Sequence, residues 1–116
     1  MKYMLLIYGD EKATAQVPEA GMGERLAAFQ AYTRVLQEAG ALVAGGRLAF
    51  SGTASTVRVR SRKSQVLDGP YAETKEQLGG YYVIEARDLD AALDWASRCP
   101  GAAHGAVEVR PFWPAT

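Results

Sequence analysis

Cysteine and histidine are almost absent from this chain of 116 residues, which contains one of each, Cys99 and His104. A single cysteine excludes an intramolecular disulfide and is typical of a reducing compartment, so we expect a cytoplasmic protein. One cysteine and one histidine cannot assemble a structural zinc site, and no nucleotide-binding motif occurs. We therefore predict that the protein needs neither a metal nor an organic cofactor.

The chain also lacks an excess of charge of either sign, because 13 Lys and Arg balance 13 Asp and Glu. A net charge of zero argues against nucleic-acid binding, which needs a surplus of basic side chains. The longest apolar run, residues 3–8, is too short to cross a bilayer, so we expect no membrane association and no signal peptide. A hydrophobic content of 48% indicates a globular protein, and the length predicts one domain over residues 1–116.

Hydrophobic periodicity predicts two helices and four main strands, with a hairpin between the second and third strands. The helices are expected over 18–39 and 89–98, the strands over 2–8, 41–48, 80–86 and 107–112, and the hairpin over 56–60 and 65–67. Without the hairpin this order is β-α-β-β-α-β, so we predict an α+β, ferredoxin-like fold.

Each predicted helix has an apolar stripe that should pack on the sheet. The stripes are Met22, Leu26, Phe29, Thr33 and Leu36 in the first helix, and Leu89, Ala92, Leu93 and Ala96 in the second. The strands over 3–8 and 81–86 are apolar on both faces, whereas two helices can cover only one face of a sheet. We therefore expect a homodimer in which a second subunit covers the other face.

Residues 68–82 form the most distinctive segment, Asp-Gly-Pro-Tyr-Ala-Glu-Thr-Lys-Glu-Gln-Leu-Gly-Gly-Tyr-Tyr. Together with residues 1–10 and 107–111, this segment resembles the DGPF group of the YCII-related family over nearly the whole chain. Tyr71 stands where the motif has Phe. The resemblance implies a ferredoxin-like domain that pairs as a dimeric α+β barrel. It also implies a cleft near the Asp68-Gly69-Pro70 loop and bacterial genes that often lie beside extracytoplasmic-function sigma factors.

Relatives in the wider family are proposed to use a His-Asp pair with the histidine on the first helix, and this chain has no histidine there. Asp68 is the acid that still matches, and Glu73 and Lys75 follow it within one loop. Neighbouring charges shift carboxylate pKa values, so Asp68, Glu73 and Lys75 are candidate catalytic residues for proton transfer. The alternative is that Asp68 caps the Gly69-Pro70 turn, while Glu73, Lys75 and Glu76 pair with one another in solvent.

Three further residues are candidates for binding a substrate. Arg47 follows the pair Gly45-Gly46, where a backbone or a ligand can approach closely, and guanidinium binds anions in a forked geometry. Tyr8, Tyr81 or Tyr82 could offer a hydroxyl group to a cleft, depending on which face of the strand is inward. Alternatively, Arg47 pairs with Asp68 or Glu85 and the tyrosines belong to the core.

These observations leave three classes of function. The first is a cofactor-independent enzyme, such as a lyase or isomerase, that binds a small molecule near Asp68. The second is a small-molecule-binding or accessory protein that works with a sigma factor. The third is a structural dimer without a ligand. The fold itself does not decide among them, because one fold supports many functions.

Overall fold

Residues 1–114 are described by a computed structural model and form six strands and four helices. The strands are β1 (Lys2–Gly9), β2 (Leu42–Arg47), β3 (Ser55–Arg60), β4 (Lys63–Asp68), β5 (Gln77–Glu85) and β6 (Ala106–Pro111). The helices are α1 (Glu11–Ala15), α2 (Glu19–Glu38), α3 (Leu89–Arg98) and α4 (Gly101–His104), and a 3-10 turn covers Ser51–Thr53.

Four of the strands form an antiparallel sheet in the order β2-β5-β1-β6, and β3 pairs with β4 as a separate hairpin. The fold is therefore α+β, as predicted. Once the hairpin is set aside, the order of elements and strands is compatible with a ferredoxin-like arrangement. Strand β6 lies at an edge of the sheet and ends at Pro111, where proline removes no hydrogen bond from a central ladder.

Both predicted helices are confirmed with nearly the predicted bounds. Helix α2 begins at Glu19, directly after Pro18, and Gly40 follows it with a φ of 70°. The left-handed conformation after a helix favours glycine, which explains the stop. Helix α3 begins after Asp88, whose carboxylate accepts a hydrogen bond of 2.9 Å from the Ala91 N–H.

Two short helices were not predicted, because five and four residues are too few to show a helical period. Helix α1 follows Asp10, whose carboxylate accepts hydrogen bonds from the Lys12 and Ala13 N–H groups. Helix α4 follows Pro100, where the sequence predicted the end of helical structure. Proline at or next to the first helical turn costs no backbone hydrogen bond, so Pro100 can begin a new helix as readily as it ends one.

The hydrophobic core lies between one face of the sheet and the helices α2 and α3. The sheet contributes Tyr3, Leu5, Tyr82 and Ile84, and the helices contribute Tyr32, Leu36, Ala92 and Ala96. Because side chains alternate along a strand, Met4, Leu6, Tyr81 and Val83 point to the opposite face, away from these helices. The sheet therefore has an apolar side chain on both faces of its two central strands.

The predicted apolar stripes of the helices are only partly buried. In α2 the second half packs through Tyr32 and Leu36, whereas Leu26 in the first half is 49% exposed. In α3 the small residues Ala92 and Ala96 are buried, while Leu89 and Leu93 remain about half exposed. The prediction that each whole stripe lies in the core was wrong. In α2 the first half stands off the sheet, and α3 packs through its alanines rather than through its leucines.

The hairpin projects from the rest of the molecule. Its strands are joined by Ser61 and Arg62, both with positive φ (52° and 64°), which is the geometry of a tight two-residue hairpin turn. Val57 and Val66 face each other across the strands and are 61% and 62% exposed. The radius of gyration is 16.0 Å, whereas a compact chain of this length would have about 13 Å.

Candidate functional site

An open cleft of about 590 Å³ lies between the first half of α2 and the sheet. Helix α2 roofs the cleft with Met22, Leu26 and Phe29, and Leu48 and Phe50 form an apolar wall beyond the end of β2. This volume and a largely apolar lining are typical of sites for small molecules. The cleft exists because the first half of α2 does not pack against the strands below it.

Glycine forms much of the cleft's floor. Seven of the twelve glycines in the chain line the cleft, namely Gly9, Gly45, Gly46, Gly79, Gly80, Gly101 and Gly105. A Cβ atom on Gly45 would lie 2.8 Å from Cδ1 of Tyr82, so the tyrosine ring occupies the space that a side chain would need. The sequence predicted a bulge or a close approach at Gly45-Gly46. The close approach is confirmed at Gly45, and the irregularity in the ladder lies earlier, between Leu42 and Ala44.

The charged side chains of the cleft are unbalanced in sign. Arg25, Arg34 and Arg47 line it, and Glu11 is the acidic residue among the lining side chains. Three positive charges against one negative charge give the lining a surplus of two, whereas the whole chain has a net charge of zero. The cleft therefore concentrates positive charge.

Glu11 does not neutralise these arginines through an ion pair. Its two carboxylate oxygens accept hydrogen bonds from the backbone N–H and the hydroxyl group of Ser51, at 2.6 and 2.7 Å. These bonds join α1 to the 3-10 turn beside the cleft. The Glu11 carboxylate thus links α1 to the 3-10 turn and does not pair with the arginines.

The three cleft arginines have no carboxylate within 4 Å among residues 1–114. In contrast, Arg87, Arg98 and Arg110 each pair with an acid close in sequence. The alternative in which Arg47 pairs with Glu85 is not found, because Glu85 pairs with the amino group of Met1 at 3.0 Å. The cleft guanidinium groups are therefore available to a ligand.

A chain of hydroxyl groups connects the roof and the floor. The Thr33 hydroxyl donates to the Phe29 carbonyl at 2.9 Å and lies 2.7 Å from the Tyr82 hydroxyl. Both bonds can form together only if Tyr82 donates its proton to Thr33, since each hydroxyl has one proton. Burial raises the pKa of Tyr82 above its ordinary value. Tyr82 is thus a neutral phenol that offers a ligand an acceptor.

His104 also lines the cleft, from the end of α4. The sequence predicted an exposed loop residue that could contribute to a cleft through the loop before the last strand. The structure places it on a helix, exposed and beside the cleft. Histidine is the side chain most often used for proton transfer, so His104 is a candidate for such chemistry.

The six predicted site residues divide into two groups. Arg47 and Tyr8 line the cleft. Tyr81 does not line it, because alternation along β5 turns its side chain to the other face and brings Tyr82 to the cleft instead. Asp68, Glu73 and Lys75 are exposed and are not among the lining residues.

Asp68 is the last residue of β4, in the projecting hairpin. Within residues 1–114 its carboxylate neither caps the following turn nor forms an ion pair; that turn is held by the Gly69 N–H and carbonyl, which bond to the Ala54 carbonyl and the Thr56 hydroxyl. The cleft is therefore not built around Asp68, contrary to our expectation of a cleft at its loop. The catalytic role of Asp68, Glu73 and Lys75 stays a prediction.

The distinctive segment reaches the cleft through its Gln-Leu-Gly-Gly end. Gln77, Gly79 and Gly80 line the cleft. The Gln77 side chain accepts a hydrogen bond from the Glu11 N–H at 3.0 Å and donates one to the Thr74 carbonyl at 2.6 Å. The segment thus positions α1 beside the cleft through Gln77, and its acidic residues take no part in these two hydrogen bonds.

Sequence reasoning missed Arg25, Arg34, Glu11 and Thr33 as cleft residues. One signal was present, because Arg25 and Arg34 border the apolar stripe of α2 and Thr33 interrupts it with a hydroxyl group. That pattern is also typical of an ordinary helix packed on a sheet. The distinction depends on whether the helix stands off the sheet, which a single helix does not reveal.

Other candidate features contribute little to this site. Cys99 is buried in the core, and burial raises the pKa of its thiol, so it is a poor nucleophile.

Within residues 1–114, no group of three acidic, histidine or cysteine side chains is placed so that it could hold a metal ion. The helices in this part of the chain are also too short or too polar to cross a membrane.

Comparison with known proteins identifies relatives of the whole chain. A family model described as the YCII-related domain matches residues 1–116. A protein of Rhizobium meliloti (strain 1021), itself described as uncharacterized, is 39% identical over 114 residues. That alignment covers 97% of this chain and 92% of the relative.

Proposed function

The chain belongs to the YCII-related family, and from this premise and the geometry of the cleft we propose that it binds a small organic molecule between the first half of α2 and the sheet. The observation that carries the proposal is the gathering of exposed apolar side chains at one place. Leu26, Leu48 and Phe50 are 41–49% exposed and all line this cleft. Apolar surface that is concentrated in a concave site, rather than scattered, marks a binding site.

We propose that the same cleft supports acid/base chemistry without a cofactor, with His104 as the proton-transfer group. The other candidates in the lining are less suitable. Both oxygens of Glu11 already accept hydrogen bonds from Ser51, and Tyr82 retains its proton because burial raises its pKa. This assignment differs from the prediction centred on Asp68, and the binding proposal does not depend on it.

Binding is tested with N-phenyl-1-naphthylamine, a neutral dye whose fluorescence rises in apolar sites. We expect the wild-type protein to bind the dye and Leu26→Trp to weaken that binding at least about tenfold, because the larger ring enters the cleft. Leu93→Trp is the matched control. Leu93 is also a half-exposed helical leucine, and it does not line the cleft.

Native mass spectrometry of freshly purified protein complements the titration, since a ligand carried from the cell would appear as added mass. If Leu26→Trp and Leu93→Trp bind the dye as well as the wild type does, the dye is not held in this cleft and the proposal is wrong. The alternative, an accessory or regulatory protein that works with an extracytoplasmic-function sigma factor without catalysis, would then be favoured.

A further inference from the structure

We infer that the ligand of this cleft is a small carboxylic acid with a flat apolar body, whose carboxylate is bound by the cleft arginines. The inference rests on the proposed function, because it names the chemical class of the molecule that the cleft binds. It draws on the charge of the lining, on the partners of the polar groups and on the position of the aromatic side chains.

The first observation is the positive lining of an otherwise neutral protein. Arg25 and Arg34 come from the roof and Arg47 from the end of β2, so positive charge lies on more than one wall. A cleft lined by one sign of charge attracts ligands of the opposite sign. The ligand is therefore an anion.

The second observation concerns Arg25, which is half-buried and has no carboxylate within 4 Å in the described part of the chain. Partial burial of a guanidinium group without a counter-charge is unfavourable, because its lost hydration is not replaced. An anionic ligand would replace the lost hydration with hydrogen bonds of its own. Guanidinium and carboxylate match well, because two parallel hydrogen bonds can form between them.

The hydrogen-bonded pair Tyr82 and Thr33 does not compete for the anion. Tyr82 donates its proton to Thr33, so its hydroxyl presents only lone pairs to the cleft and would repel an anion. The acidic group therefore lies toward the arginines and away from Tyr82.

A carboxylate fits better than a phosphate ester. Phosphates are commonly held by free backbone N–H groups at the start of a helix. Two helices start beside the cleft, α1 and α4. In α1 the Asp10 carboxylate already accepts hydrogen bonds from the Lys12 and Ala13 N–H groups, at 3.0 and 3.3 Å. In α4 the Ala102 and Ala103 N–H groups already donate to the Cys99 and Pro100 carbonyls. The anion is thus left with guanidinium groups, which bind a carboxylate without further help.

The apolar walls indicate the rest of the ligand. Phe29 and Phe50 line the cleft, and Phe50 and Leu48 leave over 40% of their surface uncovered. Aromatic side chains favour stacked or edge contacts with flat rings. An aromatic acid therefore satisfies both the charged and the apolar parts of the lining.

The test compares 1-naphthoate with 1-naphthamide, which have nearly the same shape and differ in charge. Calorimetric titration should show 1-naphthoate binding about tenfold or more tightly, since hydrogen bonds to a charged group contribute more than neutral ones. Arg25→Gln and Arg47→Gln should each reduce the affinity for 1-naphthoate and leave that for 1-naphthamide unchanged. Arg87→Gln is the matched control, because Arg87 is exposed and pairs with Asp88 outside the cleft.

The outcomes separate this inference from the proposed function. If the neutral dye binds in the cleft while the acid and the amide bind equally, or neither binds, the carboxylate class is wrong and the proposed function stands. If the neutral dye also fails to bind in the cleft, both the carboxylate inference and the proposed function are wrong. Tighter binding of 1-naphthyl phosphate than of 1-naphthoate would also overturn the assignment. Arg47 is exposed, so Arg47→Gln gives an answer even if Arg25→Gln fails to fold.

Discussion

Gly105 occupies a position where the chain has no room for a side chain. A Cβ atom there would lie 2.0 Å from the carbonyl oxygen of Tyr8, which is backbone and cannot rotate away. Gly105 follows α4 and leads into β6, so this contact fixes how closely α4, and with it His104, lies against β1.

We predict that Gly105→Ala lowers the free energy of unfolding by about 2 kcal/mol or more, because the overlap forces the backbone to shift. Gly23→Ala provides the opposite case. Gly23 lies within α2 and a Cβ atom there meets nothing within 4 Å, so alanine should stabilise the protein by about 0.5–1 kcal/mol. Urea denaturation of both variants measures the difference. A Gly105→Ala protein as stable as the wild type would contradict the described approach of α4 to β1.

Individual residues of the site were predictable where local chemistry decides their place. Arg47 and Tyr8 stand at the ends of strands beside glycines, and both line the cleft. The choice between Tyr81 and Tyr82 depended on which face of β5 turns inward, and alternation alone leaves that open. Asp68 was placed at the cleft on the strength of its loop, whereas the hairpin carries it away.

At the scale of elements, the contact between α2 and α3 depends on one buried tyrosine. The Tyr32 hydroxyl on α2 donates a 2.7 Å hydrogen bond to the Trp95 carbonyl on α3, and the two rings meet edge to face at 6.3 Å. Burial is the main cause that raises the pKa of Tyr32 well above its ordinary value of 10.0.

The raised pKa makes stability depend on pH in the alkaline range. The folded state holds the Tyr32 proton more tightly than the unfolded state does, so this contribution is complete below about pH 10 and is lost as the pH rises further. Tyr32→Phe should cost about 1–2 kcal/mol at neutral pH, because the Trp95 carbonyl loses its partner. Its stability should fall less steeply above pH 10 than that of the wild type.

Thermal unfolding followed between pH 7 and about pH 11 tests this prediction. Tyr3→Phe is the control, since Tyr3 is equally well buried, but within residues 1–114 the one hydrogen-bond partner of its hydroxyl is the Met1 sulfur, at 3.9 Å. Tyr3→Phe should therefore change stability at neutral pH by less than about 0.5 kcal/mol. Parallel pH curves for wild type and Tyr32→Phe would show that Tyr32 does not cause the alkaline loss.

The elements themselves were largely predictable, because α2, α3 and the strands have clear periods of 3.6 and 2 residues. The periods do not reveal how far along its length an apolar stripe is covered. Leu26 and Leu36 belong to the same stripe of α2, yet Leu36 is fully buried and Leu26 is half exposed. A helical period shows which residues share one face of the helix. The tilt of the helix over the sheet decides which of those residues are buried.

At the scale of the whole molecule, we expect a homodimer that is held by the sheet face opposite the helices. Met4, Leu6 and Tyr81, which are half-buried, and Val83, which is 9% exposed, form an apolar patch there. The projecting hairpin adds exposed valines that a second copy could cover. The charge balance of the chain favours self-association, since two neutral copies do not repel each other. A stable pair would bury roughly 1,200 Å² or more in total.

Light scattering at micromolar concentration should therefore give twice the monomer mass of 12.5 kDa. Leu6→Lys should shift the population toward monomer, because it places a charge in the apolar patch. Leu93→Lys, on the outer surface of α3, should leave the mass unchanged. A monomeric wild type under these conditions would contradict the expected pairing.

The two halves of helix α2 differ in how freely their residues can be mutated. Its second half, with Tyr32 and Leu36, is fixed by the core, whereas in the first half Met22 and Leu26 line the proposed ligand cleft and do not belong to the core cluster. The floor below is largely glycine, which offers no side chain to vary. Mutations at Met22, Leu26 and Gln30 can therefore accumulate with little loss of folding, so a new ligand preference can evolve, or be selected in a library, from about two turns of a single helix.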